Sequence, residues 1–235
     1  LVPFVAAVLA FLLRGSRMGD LASVAGAVAS LGVAVLLVGV VLDRGVVAGQ
    51  VGGWQAPYGI TLVADHLSAA MVLITAIIGL AVAVWSLAEI GPESSRLGYH
   101  ALFQSLLGGV TGAFLTGDLF NLFVFFEVML AASYGLLLHG TGRVRVGAGL
   151  HYIAVNLLAA MLFLLGVALI YGVTGTLNMA DLALKIPLVP EADRGLLHAG
   201  AAILAMAFLA KAGIWPLNFW LVPAYASASA PVAAL

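Results

Sequence analysis

Apolar runs long enough to cross a bilayer follow one another along this chain, each closed by a charge, a glycine or a proline. A helix rises about 1.5 Å per residue and the hydrocarbon core is about 30 Å thick, so a run of about twenty such residues predicts a spanning helix. Residues 21–42, 62–87, 97–116, 119–138 and 152–171 meet that measure, and 196–221 meets it with a break inside. Residues 1–13 read as the remainder of a first helix, and another begins at Ser227. The segment 43–60, rich in glycine and carrying Trp54, Pro57 and Tyr58, predicts an external loop with a short hairpin and an interfacial aromatic anchor. The link 116–118 is so short that its flanking helices must be antiparallel neighbours, with Asp118 placed to cap the second. In the longest polar interlude, 173–195, Asn178 and Asp181 have capping spacing ahead of a short surface-lying helix.

Composition turns these runs into a membrane protein. Hydrophobic residues make up 64% of the chain and charged residues 8%, against about 25% charge in a soluble domain. Nine basic and ten acidic side chains cannot coat 235 residues with a polar surface. The net charge of −1, without a concentrated basic face, excludes a nucleic-acid partner. With no cysteine there is no disulfide framework, thiolate metal site or iron–sulfur cluster, and no cofactor or metal is expected. When the loops are assigned alternately to two sides, Arg14, Arg17, Arg96, Arg143 and Arg145 share one and Arg44, Lys185 and Arg194 the other. The positive-inside rule then makes the first side cytoplasmic and turns the 43–60 loop outward. The chain opens at Leu1 rather than Met and stops within an apolar stretch, so it reads as part of a longer protein.

Two charges interrupt the apolar runs where the membrane should exclude them. Glu127 lies about 12 Å along its helix from Leu119, the residue after Asp118, near mid-membrane, where an ionisable side chain costs roughly 2.5 to 3.5 kcal/mol. A carboxyl there is neutral when isolated and ionises beside a cation, so moving its partner switches it. Lys211 is followed by Gly213 and Pro216, which together break a helix, and irregular backbone at membrane depth needs protein or water to satisfy it. The blander readings are a permanently paired Glu127 that joins two helices, and a Lys211 that snorkels from a terminated helix. Asp65 and His66 open the third helix, at the interface or at a water entrance. Ser133 and Asn156 extend a relay or serve as packing glue between helices. Arg143, Arg145 and His139 report topology, while His100, His151 and His198 fall near helix ends without the pairing a haem needs. Gly108 and Gly112 form a small-xxx-small pair.

The stretch TGDLFNLFVFFEVMLAASYGLLLHG (116–140) resembles the fifth-helix signature of the antiporter-like subunits shared by multisubunit cation/proton antiporters and respiratory complex I. NLLAAMLFLLGVALIYGVTGTLNMADLA (156–183) and FLAKAGIWPLNFWLVPAYASASAPVAAL (208–235) are similar to the helices that follow it in that family. Together with GGWQAPYGITLVADHLSA (52–69), the wording is nearest to the D-type subunits of the Mrp (Pha) antiporters. The resemblance implies an all-α polytopic bundle, the N-terminal part of a fourteen-helix fold of two inverted five-helix repeats, each with a broken helix. It implies that residues 1–90 hold helices 1–3 and that 91–235 hold the first repeat, helices 4–7 and the start of an eighth. It also implies that Glu127 is the fifth-helix glutamate and Lys211 the lysine of the broken seventh helix. The chain departs from the family at Asn218, where histidine is frequent, and at His66, where it is not.

The expected function is therefore that of a proton-translocating subunit in the cell (inner) membrane, exchanging protons for Na⁺ or another monovalent cation alongside other subunits of an antiporter complex. It is a secondary transporter rather than an enzyme. The alternative within the family is a proton-pumping subunit of complex I or of a membrane-bound hydrogenase. An intramembrane protease would need a serine or other nucleophile beside a base, and no serine lies in a Gly-x-Ser-x-Gly setting. A purely structural assembly subunit would lose nothing when Glu127 is neutralised.

Overall fold

The computed structural model describes residues 1–139 and 142–235; Gly140, which ends the 116–140 block, lies with Thr141 outside the described residues. The short helix α1 (Val2–Leu12) leads through a turn to α2 (Arg17–Arg44). A two-stranded antiparallel hairpin follows, β1 (Val47–Gln50) against β2 (Thr61–Ala64), with Val47 opposite Ala64 and Gln50 opposite Thr61. Next come α3 (His66–Glu89), the single turn α4 (Pro92–Arg96), α5 (Tyr99–Leu115), α6 (Leu119–Leu137) and α7 (Arg143–Thr174). The chain continues with α8 (Met179–Lys185), α9 (Arg194–Lys211), α10 (Leu221–Ser227) and α11 (Ala230–Ala233). Among the described residues, α2, α3, α6, α7 and the run Glu191–Lys211 are long and apolar enough to cross a membrane. With side chains such as Leu36, Leu158 and Met161 at least 60% exposed on those helices, lipid is the solvent that suits them. The protein is a multi-pass membrane helix bundle.

Several boundaries differ from the apolar runs. The third helix begins at His66 rather than at 62, because residues 61–64 pair with β1 and Asp65 forms a reciprocal cap with Ser68. Helix α7 begins at Arg143 rather than at 152. Its first turn holds two arginines, and Arg145 donates to the carbonyls of His139 and Ser227, so a charge that reads as loop is tied down inside a helix. The expected helix 196–221 ends at Lys211, and residues 212–220 are turns until α10 starts. Ser227 closes α10 instead of opening the next helix.

Glycines set the closest approaches. A Cβ on Gly109 would lie 2.8 Å from the backbone nitrogen of Met129, so α5 and α6 meet nearly backbone to backbone there. Gly112 faces Phe125 on α6 whereas Gly108 faces Phe4 on α1, so the small-xxx-small pair serves two neighbours rather than one. Gly166 of α7 and Gly200 of α9 oppose one another: a Cβ on the first would lie 2.9 Å, and on the second 3.1 Å, from the other's carbonyl oxygen. Helix α5 is the hub, packed on α1, α2, α3 and α6.

The loops at each end are stitched together. At one end, the Gly117 amide donates to the Thr61 carbonyl (2.8 Å), and the Gly117 carbonyl accepts from Met179 (2.8 Å). Asn178 caps α8 through its side-chain oxygen while its Nδ2 donates to Thr61 Oγ1, which donates in turn to Gln50. At the other end, Arg96 packs over Gly15 and the His139 ring bonds the Ser94 carbonyl.

Candidate proton-transfer site

Helix α6 presents Glu127 a little over two turns below its start, where Asp118 caps the helix by accepting from the Asn121 amide (2.8 Å). Asp118 is thus used as a cap. One Glu127 carboxyl oxygen is buried without a hydrogen-bond partner, and so is the Lys211 ammonium. The ion pairs within 4.0 Å among the described residues are His100–Asp20, Lys185–Asp181 and Arg194–Glu191, so Glu127 and Lys211 are not in contact. The ammonium rests instead 5.3 Å from the centre of the ring of Phe126, the residue that precedes Glu127. Phe126 belongs to an aromatic cluster with Phe163 and Phe208, at 5.4 to 6.4 Å between ring centres, that joins α6, α7 and α9.

The break has an ordinary helix-ending geometry. Gly213 takes φ 61°, its amide donates to Ala210, and the Ile214 amide reaches back to Leu209. This is the Schellman arrangement, which needs a left-handed residue that glycine supplies without strain. Lys211 is the last residue of α9, so the negative end of the helix dipole supports its charge. Pro216 sits in the following turn. The Trp220 indole donates to the Ala210 carbonyl (3.2 Å), so the broken end is satisfied by protein. Asn218 lies in the same turn, and its carbonyl accepts the amide that starts α10.

Among the described residues, none of the remaining predicted side chains is hydrogen-bonded to Lys211 or to the buried carboxyl oxygen of Glu127. Ser133 Oγ bonds the Leu130 carbonyl and shares a 2.8 Å hydrogen bond with Tyr152 Oη, linking α6 to α7 at a cavity of about 140 Å³. Asn156 is 2% exposed and donates to the carbonyl of Tyr152 in its own helix. Asp65 lines a larger cavity of about 640 Å³ under the hairpin, with Thr61, Asn178 and Asp181. Backbone and side-chain hydrogen bonds from Ser68 hold the Asp65 carboxyl below the usual carboxylate range. His66 is exposed and lies outside that cavity lining. Among the described residues no three His, Cys, Asp or Glu side chains converge as a metal site requires. Reading the sequence missed Phe126, Tyr152 and Trp220; adjacency to Glu127 could have drawn attention to the first, while nothing in an apolar run distinguishes the other two.

Residues 116–235 match the family model described as the NADH:quinone oxidoreductase/Mrp antiporter transmembrane domain. The chain belongs to that family. Its relatives include the D-type subunit of a probable K⁺/H⁺ antiporter of Rhizobium meliloti (strain 1021), 60% identical over 184 residues, which are 78% of this chain and 34% of that protein. The D-type subunit of the Na⁺/H⁺ antiporter of Bacillus subtilis (strain 168) is 41% identical over 236 aligned residues, covering all of this chain and 48% of that protein. The fold of this antiporter-family chain is similar to a chain in the structure of the Mrp complex from Dietzia sp. DQ12-45-1b. That similarity has a TM-score of 0.87 at 37% identity and covers 99% of this chain and 43% of that one. It is also similar to a chain of the archaeal membrane-bound sulfane sulfur reductase, with a TM-score of 0.93 at 31% identity, over 99% of this chain and 47% of that one. The chain thus spans a third to a half of the relatives it matches.

Proposed function

We propose that this chain is the proton-translocating part of a D-type subunit in a multisubunit monovalent cation/proton antiporter, working with the other subunits of that complex. The observation that carries the reading is the buried carboxyl oxygen of Glu127 and the buried ammonium of Lys211, both without hydrogen-bond partners and not in contact with one another. Neither is a settled structural ion pair. When Lys211 approaches Glu127, the carboxylate is stabilised and its proton leaves; when they separate, the carboxyl reloads. Bringing an opposite charge close to a buried carboxyl changes the balance of its two forms by roughly 1.4 to 4 kcal/mol. That matches the roughly 2.3 kcal/mol that 100 mV of membrane potential exerts on one charge. Lys211 stands on the last turn of α9, directly before the irregular segment 212–220, so a shift of that segment would move it. Asp65 serves the approach through the cavity under the hairpin, Ser133 joins α6 to α7 through Tyr152, and Asn156 stands buried one turn further along α7.

The exchanged cation is Na⁺ or K⁺, the ions in the names of the two antiporter relatives. The test is Glu127→Gln in the assembled complex. Cation-driven proton flux in everted vesicles should fall at least tenfold while the subunits still co-purify. Wild-type flux in an assembled mutant would sink the role. Similarity to the sulfane sulfur reductase chain favours a second reading, a redox-coupled proton pump. Proton translocation driven by an electron donor, with none driven by a cation gradient, would select it.

A further inference from the structure

At the arginine-rich end of the bundle, opposite the hairpin, α2, α4 and α5 enclose a second group of ionisable side chains that the Glu127–Lys211 reading does not use. His100, in the first turn of α5, is 4% exposed. Its Nε2 lies 3.2 Å from Oδ1 of Asp20 in the first turn of α2. The same carboxylate oxygen accepts a 2.6 Å hydrogen bond from Ser95 Oγ on α4. One turn deeper the pairing repeats, with Gln104 Nε2 donating to the carbonyl (2.6 Å) and the hydroxyl (3.2 Å) of Ser23. His100 with Gln104, and Asp20 with Ser23, stand at helical-neighbour spacing, so α2 and α5 meet through a two-rung polar ladder.

That ladder decides the chemistry of the imidazole. A ring nitrogen that faces a carboxylate carries the hydrogen, which leaves the other nitrogen as a lone-pair acceptor in the neutral ring. In His100 that acceptor is Nδ1, which is buried and unpartnered, as are Gln104 Oε1 and Tyr99 Oη nearby. A contact serving packing alone has no reason to retain them, since each bare buried polar atom costs about 1 to 3 kcal/mol. The Asp20 side chain is 29% exposed, so the pair reaches the surface on its acidic side. At this end of the bundle the other charged or titratable groups on the surrounding elements are Arg14 in the turn before α2, Arg17 on α2, Glu89 at the end of α3, Glu93 and Arg96 on α4, Tyr134 near the end of α6 and His139 just past it, while α1 carries no charge. The His139 ring stands 5.9 Å from that of Tyr99.

We infer that His100 is a second proton-binding site, at the arginine-rich end of the bundle, that takes up a proton on Nδ1. The Nε2 hydrogen stays on the ring, the Asp20 carboxylate faces it at 3.2 Å and positions the imidazole, and no covalent bond other than N–H forms or breaks. Ser95 tempers the carboxylate by donating to it.

The test uses the complete complex in lipid, with ring-¹⁵N histidine, followed by magic-angle-spinning NMR between about pH 5 and 9. One imidazole signal should titrate, be absent in His100→Gln, and show the Nε2–H tautomer in its neutral form. Its midpoint should fall by roughly one pH unit or more in Asp20→Asn, which removes the counter-charge. It should rise in Ser95→Ala, which frees the carboxylate. A purely structural contact predicts no such opposition, because both substitutions only weaken it. The proposal is overturned if no His100-dependent signal titrates, or if the two substitutions move it the same way. Should His100→Gln fail to assemble, the opposite shifts in the two variants that keep the imidazole decide the matter; loss of assembly in all three would make the cluster structural. None of these readouts uses transport, so this outcome and that of Glu127→Gln are independent.

Discussion

Lys211 is the residue at which the energy balance is tightest. At the centre of a membrane helix a lysine costs roughly 2.5 to 3.5 kcal/mol. The Phe126 ring and the carboxyl end of α9 return together roughly 1 to 2.5 kcal/mol, leaving a net penalty. A charge that the fold does not fully compensate has its explanation in function rather than in packing. Lys211→Met, which preserves length and removes the charge, should therefore leave the thermal midpoint of the purified complex unchanged or higher while cation-driven proton flux falls at least tenfold. A large drop in the midpoint would make the lysine a structural anchor. Both members of the pair were legible in the sequence because a charge inside an apolar run is conspicuous. Their separation was not, since it depends on where the Phe126 ring stands, and one phenylalanine among Phe123, Phe125 and Phe126 looks like its neighbours.

At the scale of elements, the sequence announced the break in α9 through Gly213 and Pro216 but not how the break is held. Helix-ending chemistry is local and readable; the Trp220 indole reaches the Ala210 carbonyl from ten residues away. The same distinction explains the misplaced starts of α3 and α7. Residues 61–64 are apolar enough for a helix but pair across a hairpin, and Arg143 and Arg145 look like loop until distant carbonyls bind the second. Trp220→Phe keeps a ring against Tyr152, 5.3 Å away between centres, and deletes only the donor. Losing one hydrogen bond of about 1 kcal/mol should speed hydrogen exchange at the Gly213 and Ile214 amides about fivefold. Unchanged exchange would mean that the indole does not support the broken end.

At the scale of the whole molecule, orientation decides which side each end of the bundle faces. The hairpin, the 116–118 link and the start of α8 are hydrogen-bonded together at one end. The 13–16 turn, α4 and the start of α7 share the other end with Arg14, Arg17, Arg96, Arg143 and Arg145. Alternating the loops by sequence therefore put the right segments together, and five basic residues against three favour the second end as cytoplasmic. The absence of cysteine makes this testable one thiol at a time. Tyr58 is 89% exposed in the hairpin loop and Glu93 is exposed on α4. In the assembled complex, Tyr58→Cys should react with a membrane-impermeant maleimide in intact cells, and Glu93→Cys only in everted vesicles. The reverse pattern would invert the bundle and place His100 toward the outside; labelling of both in intact cells would contradict a membrane-spanning bundle altogether. With the predicted pattern, His100 and Asp20 lie toward the cytoplasm while Asp65 and the cavity beneath the hairpin open outward, and the proposed transfer pair, Glu127 and Lys211, stands on helices that run between those two ends.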